Sequence, residues 1–216
     1  MKSILIFILV VFTFFGCNTK NDSNQTNSET VSPPKLDLHQ AIYMRDLDAI
    51  NQHIKAGTDL NTPEPSRQSS PLITAAALGE VEATNILIDA GANINYTNLD
   101  GSNALHTAIV FGKSKVAETL IEKGIDLNTQ NKEGSSALHT AAFFGKDDIV
   151  KTLIEKGVDK NLKNGAGNTA LEIVNIPFES LMPIYEKVSA GLEPLGVTLN
   201  YEKIKKSRPI ITELLK

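Results

Sequence analysis

The stretch ALHTAIVFGKSKVAETLIEKGIDLN that begins at Ala104 returns at Ala137 as ALHTAAFFGKDDIVKTLIEKGVDKN, 33 residues later. Glycines keep the same step: Gly91, Gly124 and Gly157; Gly79, Gly112 and Gly145; Gly101, Gly134 and Gly167. A period of this size marks a supersecondary unit that cannot bury its apolar face alone and does so by stacking on its neighbours. The unit itself can be read from its parts. Ser70, Asn103, Ser136 and Thr169 hold one register position and are residue types that cap helix N-termini, and Pro71 follows the first of them at N1. A short helix from there ends at a glycine able to take the left-handed conformation. A second helix follows, with Val81, Ile86, Leu87 and Ile88 at helical spacing, a pattern repeated at 116–121 and 149–154. The segment after it, such as ANINYTNLDGS from Ala92, carries the Asn, Asp and Gly of a reversing turn.

GSNALHTAIVFG and GSSALHTAAFFG resemble the G-x-T-P-L-H-x-A-A-x-x-G opening of the ankyrin repeat, and LIEKGIDLN resembles its L-L-x-x-G-A-D-V-N ending. The resemblance covers residues 36 to about 173. Ala104, Ala137 and Ala170 replace the family's proline, and Ile73 replaces the first histidine. It implies an all-α ankyrin-repeat solenoid of helix-turn-helix units joined by hairpin-like turns, with units near 36–69, 70–102, 103–135 and 136–168 and a partial one from 169. The opening unit lacks the glycine between its helices, as terminal repeats often do. Gly57 to Gly91 spans 34 residues, which puts an insertion and an irregular loop in TPEPSRQSS.

Residues 174–216 do not continue the period. SLMPIYEKVSAGLEPLG and NYEKIKKSRPIITELLK read as two or three short helices, with Asn200 and Ser207 as caps and Pro209 in a first turn. A stack ends in an element with one polar face, which Lys203, Lys205, Lys206, Glu213 and Lys216 supply, so this part reads as a helical C-terminal cap. A second binding surface is the other reading.

At the other end, Met1 to Ser3 form a basic start and Ile4 to Phe15 is apolar apart from Thr13. That run rises about 18 Å as helix, short of the ~30 Å hydrocarbon core, and reads as a signal peptide over 1–16. FFGC resembles the lipobox of bacterial lipoproteins, with Phe14 where that family usually has Leu, and the resemblance implies acylation of Cys17. Cys17 is also the only cysteine, so an intrachain disulfide is excluded. Residues 17–35, rich in Asn, Ser and Thr, read as a disordered tether spanning about 20–25 Å. The expected location is the bacterial cell envelope, lipid-anchored on its periplasmic or outer side.

The chain carries 21 Lys and Arg against 25 Asp and Glu, a net charge of −4, and −5 once Lys2 leaves with a signal peptide. This balance argues against nucleic acid as a partner. GKS at Gly112–Ser114 lacks the earlier glycine of a phosphate-binding loop, because Thr107 stands there. His106 and His139 occupy equivalent places in adjacent repeats, about 8–10 Å apart by helix packing, too far to share a zinc ion at about 2 Å. The family resemblance implies instead that each joins the backbone network between repeats. No enzyme, cofactor, metal or small-molecule substrate is expected. The expected function is non-enzymatic protein binding at a membrane, and an inhibitor or immunity-type protein blocking a toxin or envelope enzyme is the alternative. A third reading is an enzyme built on the C-terminal segment, using Tyr185, Tyr201 or Arg208.

Carried over from the family, the partner-binding surface comprises the turn tips and the exposed side of the first helices. Those positions are Leu99, Asp100 and Ser102; Lys132, Glu133 and Ser135; and Ala77, Leu78, Val110, Phe111, Phe143 and Phe144. The three phenylalanines are either interface anchors or packing between repeats.

Overall fold

The computed structural model describes residues 32–216. The expected signal peptide (1–16), Cys17 and the tether up to residue 31 lie outside the described residues. Ser32 to Lys35, read as tether, instead run along the first repeat: Gln52 donates to the Ser32 carbonyl (3.1 Å) and His53 Nε2 to the Leu36 carbonyl (2.8 Å).

Described residues form helices α1 (Leu38–Tyr43), α2 (Leu47–Lys55), α3 (Pro71–Leu78), α4 (Val81–Asp89), α5 (Ala104–Val110), α6 (Ser114–Glu122), α7 (Ala137–Phe143), α8 (Asp147–Glu155), α9 (Ala170–Asn175), α10 (Phe178–Leu192) and α11 (Tyr201–Leu215). The architecture is all-α, as the repeat predicts, and there is no strand among these residues. Ser70, Asn103, Ser136 and Thr169 each sit at the N-cap of a first helix. Asn103 Oδ1 accepts from the backbone N–H of Leu105 and His106, both at 3.1 Å, and Thr169 with Glu172 forms a capping box. Removing such a cap costs about 1 kcal/mol.

Stacking does the rest. Ile42, Leu72, Leu105 and Leu138 of the first helices and Ile50, Leu87, Leu120 and Leu153 of the second are all but inaccessible and belong to one continuous apolar cluster running from Leu38 to Leu215. Polar contacts keep the same step. The turn tips form a ladder in which Leu99 N–H donates to Arg67 O (2.9 Å), Lys132 N–H to Asp100 O (2.9 Å) and Gly165 N–H to Glu133 O (2.7 Å). Behind it, Asn61, Asn95 and Asn128 each accept, through Oδ1, an N–H from the next unit. His106 Nε2 lies 3.0 Å from Ser135 O and His139 Nε2 3.0 Å from Asn168 O, so each imidazole ties its first helix to the last residue of its own unit, where the chain passes into the next.

The inserted loop at 63–69 is organised by one carboxylate. Glu64 accepts from the Ser66 hydroxyl and from the backbone N–H of Ser66, Arg67 and Ser69. Desolvation pushes its pKa up, but these bonds outweigh that and lower it to about 2.

The C-terminal part departs from expectation in three ways. It contains two 15-residue helices joined by a 3-10 turn rather than several short ones. Asn200 does cap α11, but Ser207 lies inside that helix, donating to Asp147 Oδ1 (2.9 Å), and Pro209 is internal as well. The helix continues through Pro209 because Ile204, Ser207, Arg208, Ile211 and Leu215 form one buried stripe whose packing outweighs the missing hydrogen bond. Finally, α11 packs on α9 and α8 just as α8 packs on α7 and α6, so it takes the second-helix place of a fifth unit whose first helix is α9. Helix α10 and the loop after it are inserted between the two.

A buried arginine fastens this arrangement. Arg208 is 5% exposed and donates from Nη2 to the carbonyls of Ile173 (3.2 Å), Val174 (2.7 Å) and Ile176, at the C-terminal end of α9, where carbonyls lack helical partners and the dipole favours a cation. Tyr185 of α10 is fully buried, stacks on Phe143 at 4.5 Å between centroids and donates to Phe143 O (2.8 Å). Burial first, opposed by Arg208, pushes the Tyr185 phenol pKa up.

Gly145 marks the closest approach of the cap, since a Cβ there would stand 2.8 Å from Ile204 Cα of α11. At Gly112, one unit earlier, the nearest atom is the Lys146 ammonium at 3.4 Å. Both glycines have positive φ, so alanine costs about 1–2 kcal/mol at either from backbone strain alone. Gly145→Ala is expected to lower the melting temperature well beyond Gly112→Ala, because α11 must shift as well; paired thermal melts check this.

His106 and His139 give a pH dependence. Burial chiefly holds both pKa values below the ordinary 6.5, opposed by their backbone hydrogen bonds. The fold thus binds fewer protons than the unfolded chain below pH 6.5, and stability present at neutral pH is lost as pH falls from there toward the depressed folded values. Melts at pH 7.5 and 5.5 are expected to show a drop on acidification that shrinks in a His106→Gln, His139→Gln chain.

Candidate partner-binding surface

The first helices line the inner side of the stack, and two columns of side chains repeat along it: Tyr43, Ala77, Val110 and Phe143, and beside them Met44, Leu78, Phe111 and Phe144. Between this wall, the turn tips and the segment 192–204 lies a groove of about 880 Å³. Of the residues expected at the interface, Ala77, Leu78, Val110, Phe111 and Phe144 line it from the helices, and Asp100 and Ser102 from a turn tip.

The remaining expected residues do not line the groove. Leu99 is exposed at 45% on the tip, with its N–H tied to Arg67 O. Lys132 and Glu133 have exposed side chains and lend their backbones to the tip ladder, and Ser135 O lies against His106. Phe143 is a correction. Helix α10 covers it, Tyr185 stacks on its ring, and Phe178, Ile204 and Met182 complete a small second core. Tyr185 and Arg208, named for the enzyme reading, lie in this cap, where Tyr185 OH donates to Phe143 O and Arg208 Nη2 to the carbonyls of Ile173, Val174 and Ile176.

Several lining residues escaped the sequence reading. Tyr43, 62% exposed, stands at the open end of its column. Thr74 and Thr107 are on the wall, and Arg67 is on a tip, paired with Asp100. The opposite wall consists of Leu192, Leu195 to Asn200, Lys203 and Ile204, non-repeating sequence whose position no register could supply.

Charge is distributed unevenly. Glu80 pairs with Arg45 at 2.7 Å, and Asp100 with Arg67. Lys113, Lys146 and Lys203 line the groove with no carboxylate within 4.0 Å among the described residues. Desolvation and then the nearby Lys203 ammonium push the Lys146 pKa down, against a smaller pull from Asp148. Such a groove can hold a chain segment by apolar contact and charge; among the described residues no group of three or more His, Cys, Asp or Glu converges as a metal site, and no helix is long and apolar enough to cross a membrane.

Family models agree with this geometry. One described as ankyrin repeats (3 copies) matches residues 38–131, and one described as ankyrin repeats (many copies) matches 120–174. Among curated proteins, the chain is similar to DNA-binding protein RFXANK of Homo sapiens, 29% identical over 98 residues, 42% of this chain and 38% of that protein. It is also similar to the Arf-GAP with coiled-coil, ANK repeat and PH domain-containing protein 2 of Rattus norvegicus and of Mus musculus, 31% identical over 74 residues, 34% of this chain and 10% of theirs. The chain thus spans well under half the length of these relatives. Ankyrin repeats indicate a protein–protein interaction module. The chain carries ankyrin repeats, stacked over residues 38–174.

Proposed function

We propose that the chain is a lipid-anchored protein-binding module of the bacterial cell envelope that takes its partner in the groove between the first helices and the segment 192–204. The observation that carries the binding surface is the groove itself, where Tyr43, Leu78, Val110, Phe111 and Phe144 offer apolar contact beside the polar tips Asp100 and Ser102. Aromatic anchors within a polar rim are the composition of a protein interface. A stacked array gives this wall rigidity, so a partner need not order it on binding. The anchor rests on FFGC and the single Cys17, ahead of a stretch poor in apolar residues. One acyl chain binds membranes only marginally, so stable anchoring calls for the multiple chains that lipoprotein processing adds.

Affinity capture from envelope extract tests the binding role. The parent chain is expected to retain a specific protein that Phe111→Asp, Phe144→Asp loses while keeping its helical circular dichroism; equal capture by the folded variant contradicts the groove. The captured protein's identity separates a scaffold from an inhibitor of a toxin or envelope enzyme. For the anchor, Cys17→Ser is expected to abolish palmitate labelling and release the chain from membranes, and unchanged partitioning counts against lipidation.

A further inference from the structure

The groove has a charge opposite to that of the chain around it. Five cations line it, Arg45, Arg67, Lys113, Lys146 and Lys203, against the carboxylates Glu64 and Asp100, in a chain of net charge −4. Internal pairing does not account for the excess. Arg45 is matched by Glu80 and Arg67 by Asp100, and Glu64 is spent on its own loop, leaving the three lysines.

Lys113 and Lys146 also run against local helix chemistry. They are the N-cap residues of α6 and α8, where the positive end of the helix dipole disfavours a cation and where neither side chain makes a capping bond. Asp46 and Glu80 fill the same place at α2 and α4. The lysines are nevertheless held in position. The Lys113 stem crosses Gly79 of the preceding unit, with Cδ 2.8 Å from where a Cβ there would be, and the Lys146 ammonium lies over Gly112, 3.4 Å from a Cβ at that position. A row of ammonium groups spaced by one repeat thus flanks the apolar wall, and Lys203 of α11 extends it. Lys146 is half-buried and already loses solvation beside Lys203, a cost that a bound carboxylate would relieve.

We propose that the groove recognises an acidic peptide segment of the partner, one that sets Asp or Glu side chains against Lys113, Lys146 and Lys203 while its apolar residues rest on Leu78, Phe111 and Phe144. This rests on the groove being the binding surface, as proposed above. A polyanion such as a nucleic acid or a lipid headgroup layer satisfies the lysines but leaves the apolar wall unmatched, whereas a peptide satisfies both.

The test pans a random twelve-residue phage-displayed peptide library on the chain carrying Cys17→Ser, used so that no lipid contributes. Expected peptides combine Asp or Glu with Leu, Ile or Phe, lose binding to Phe111→Asp, Phe144→Asp, and bind Lys113→Glu, Lys146→Glu at least about tenfold more weakly, with affinity falling as salt rises. Groove-dependent peptides without acidic residues, or acidic peptides indifferent to the lysine variant, overturn the acidic specificity and leave the groove standing. Peptides that bind but ignore the phenylalanine variant overturn the groove reading as well, and so does the absence of any selected peptide. A parallel arm measures binding to phosphatidylglycerol and phosphatidylcholine vesicles. Lysine-dependent binding to the former alone reassigns the row to a membrane surface and overturns the peptide proposal.

Discussion

Everything in this molecule depends on the fact that no single helix pair can bury its own apolar face. Leu72, Leu105 and Leu138 are out of water because a neighbouring unit covers them, and the same holds for Leu87, Leu120 and Leu153 behind them. At about 25 cal/mol per Å² of apolar area, such contacts outweigh the single bonds that accompany them, yet the bonds fix the register. The tip ladder and the asparagines tie one unit to the next at a constant step, and the histidines tie each first helix to the end of its own unit. A wall with repeating side-chain columns follows, and a groove can be built on it.

The end of the stack shows how a repeating solution is stopped. Helix α11 accepts the second-helix place on α9 and α8 but turns Glu202, Lys205, Lys206 and Glu213 to solvent. Arg208 joins it to the C-terminal end of α9 by donating to the carbonyls of Ile173, Val174 and Ile176. The segment inserted between α9 and α11 packs against α7, partly covering Phe143 and leaving Phe144 lining the groove. The element that terminates the fold is thus also the far wall of the groove, which couples the integrity of the cap to the shape of the site.

What the sequence made legible was whatever recurred. Ser70, Asn103, Ser136 and Thr169 could be read as caps because four units repeat the same local problem, and His106 and His139 as part of the backbone network because the family resemblance implies it. The non-recurring part was opaque for the same reason. Pro209 reads as a helix start, and only the buried stripe beneath it carries the helix through. Phe143 and Phe144 are adjacent and indistinguishable in sequence, and they differ because α10 packs on one of them, a contact with Tyr185 that is 42 residues away along the chain. Tyr43 was missed because its unit lacks the glycine that sets the register in the others. The lysines could be located but not weighed, since their isolation from carboxylates is a property of the assembled groove.

The central claim is that the partner occupies the groove rather than the outer helices. The most direct measurement places a photo-crosslinking amino acid in cells either at Thr107, on the groove wall, or at Glu118, exposed on α6. The account predicts a discrete higher-mass adduct from Thr107 and none from Glu118. An adduct from Glu118 with none from Thr107 would contradict it.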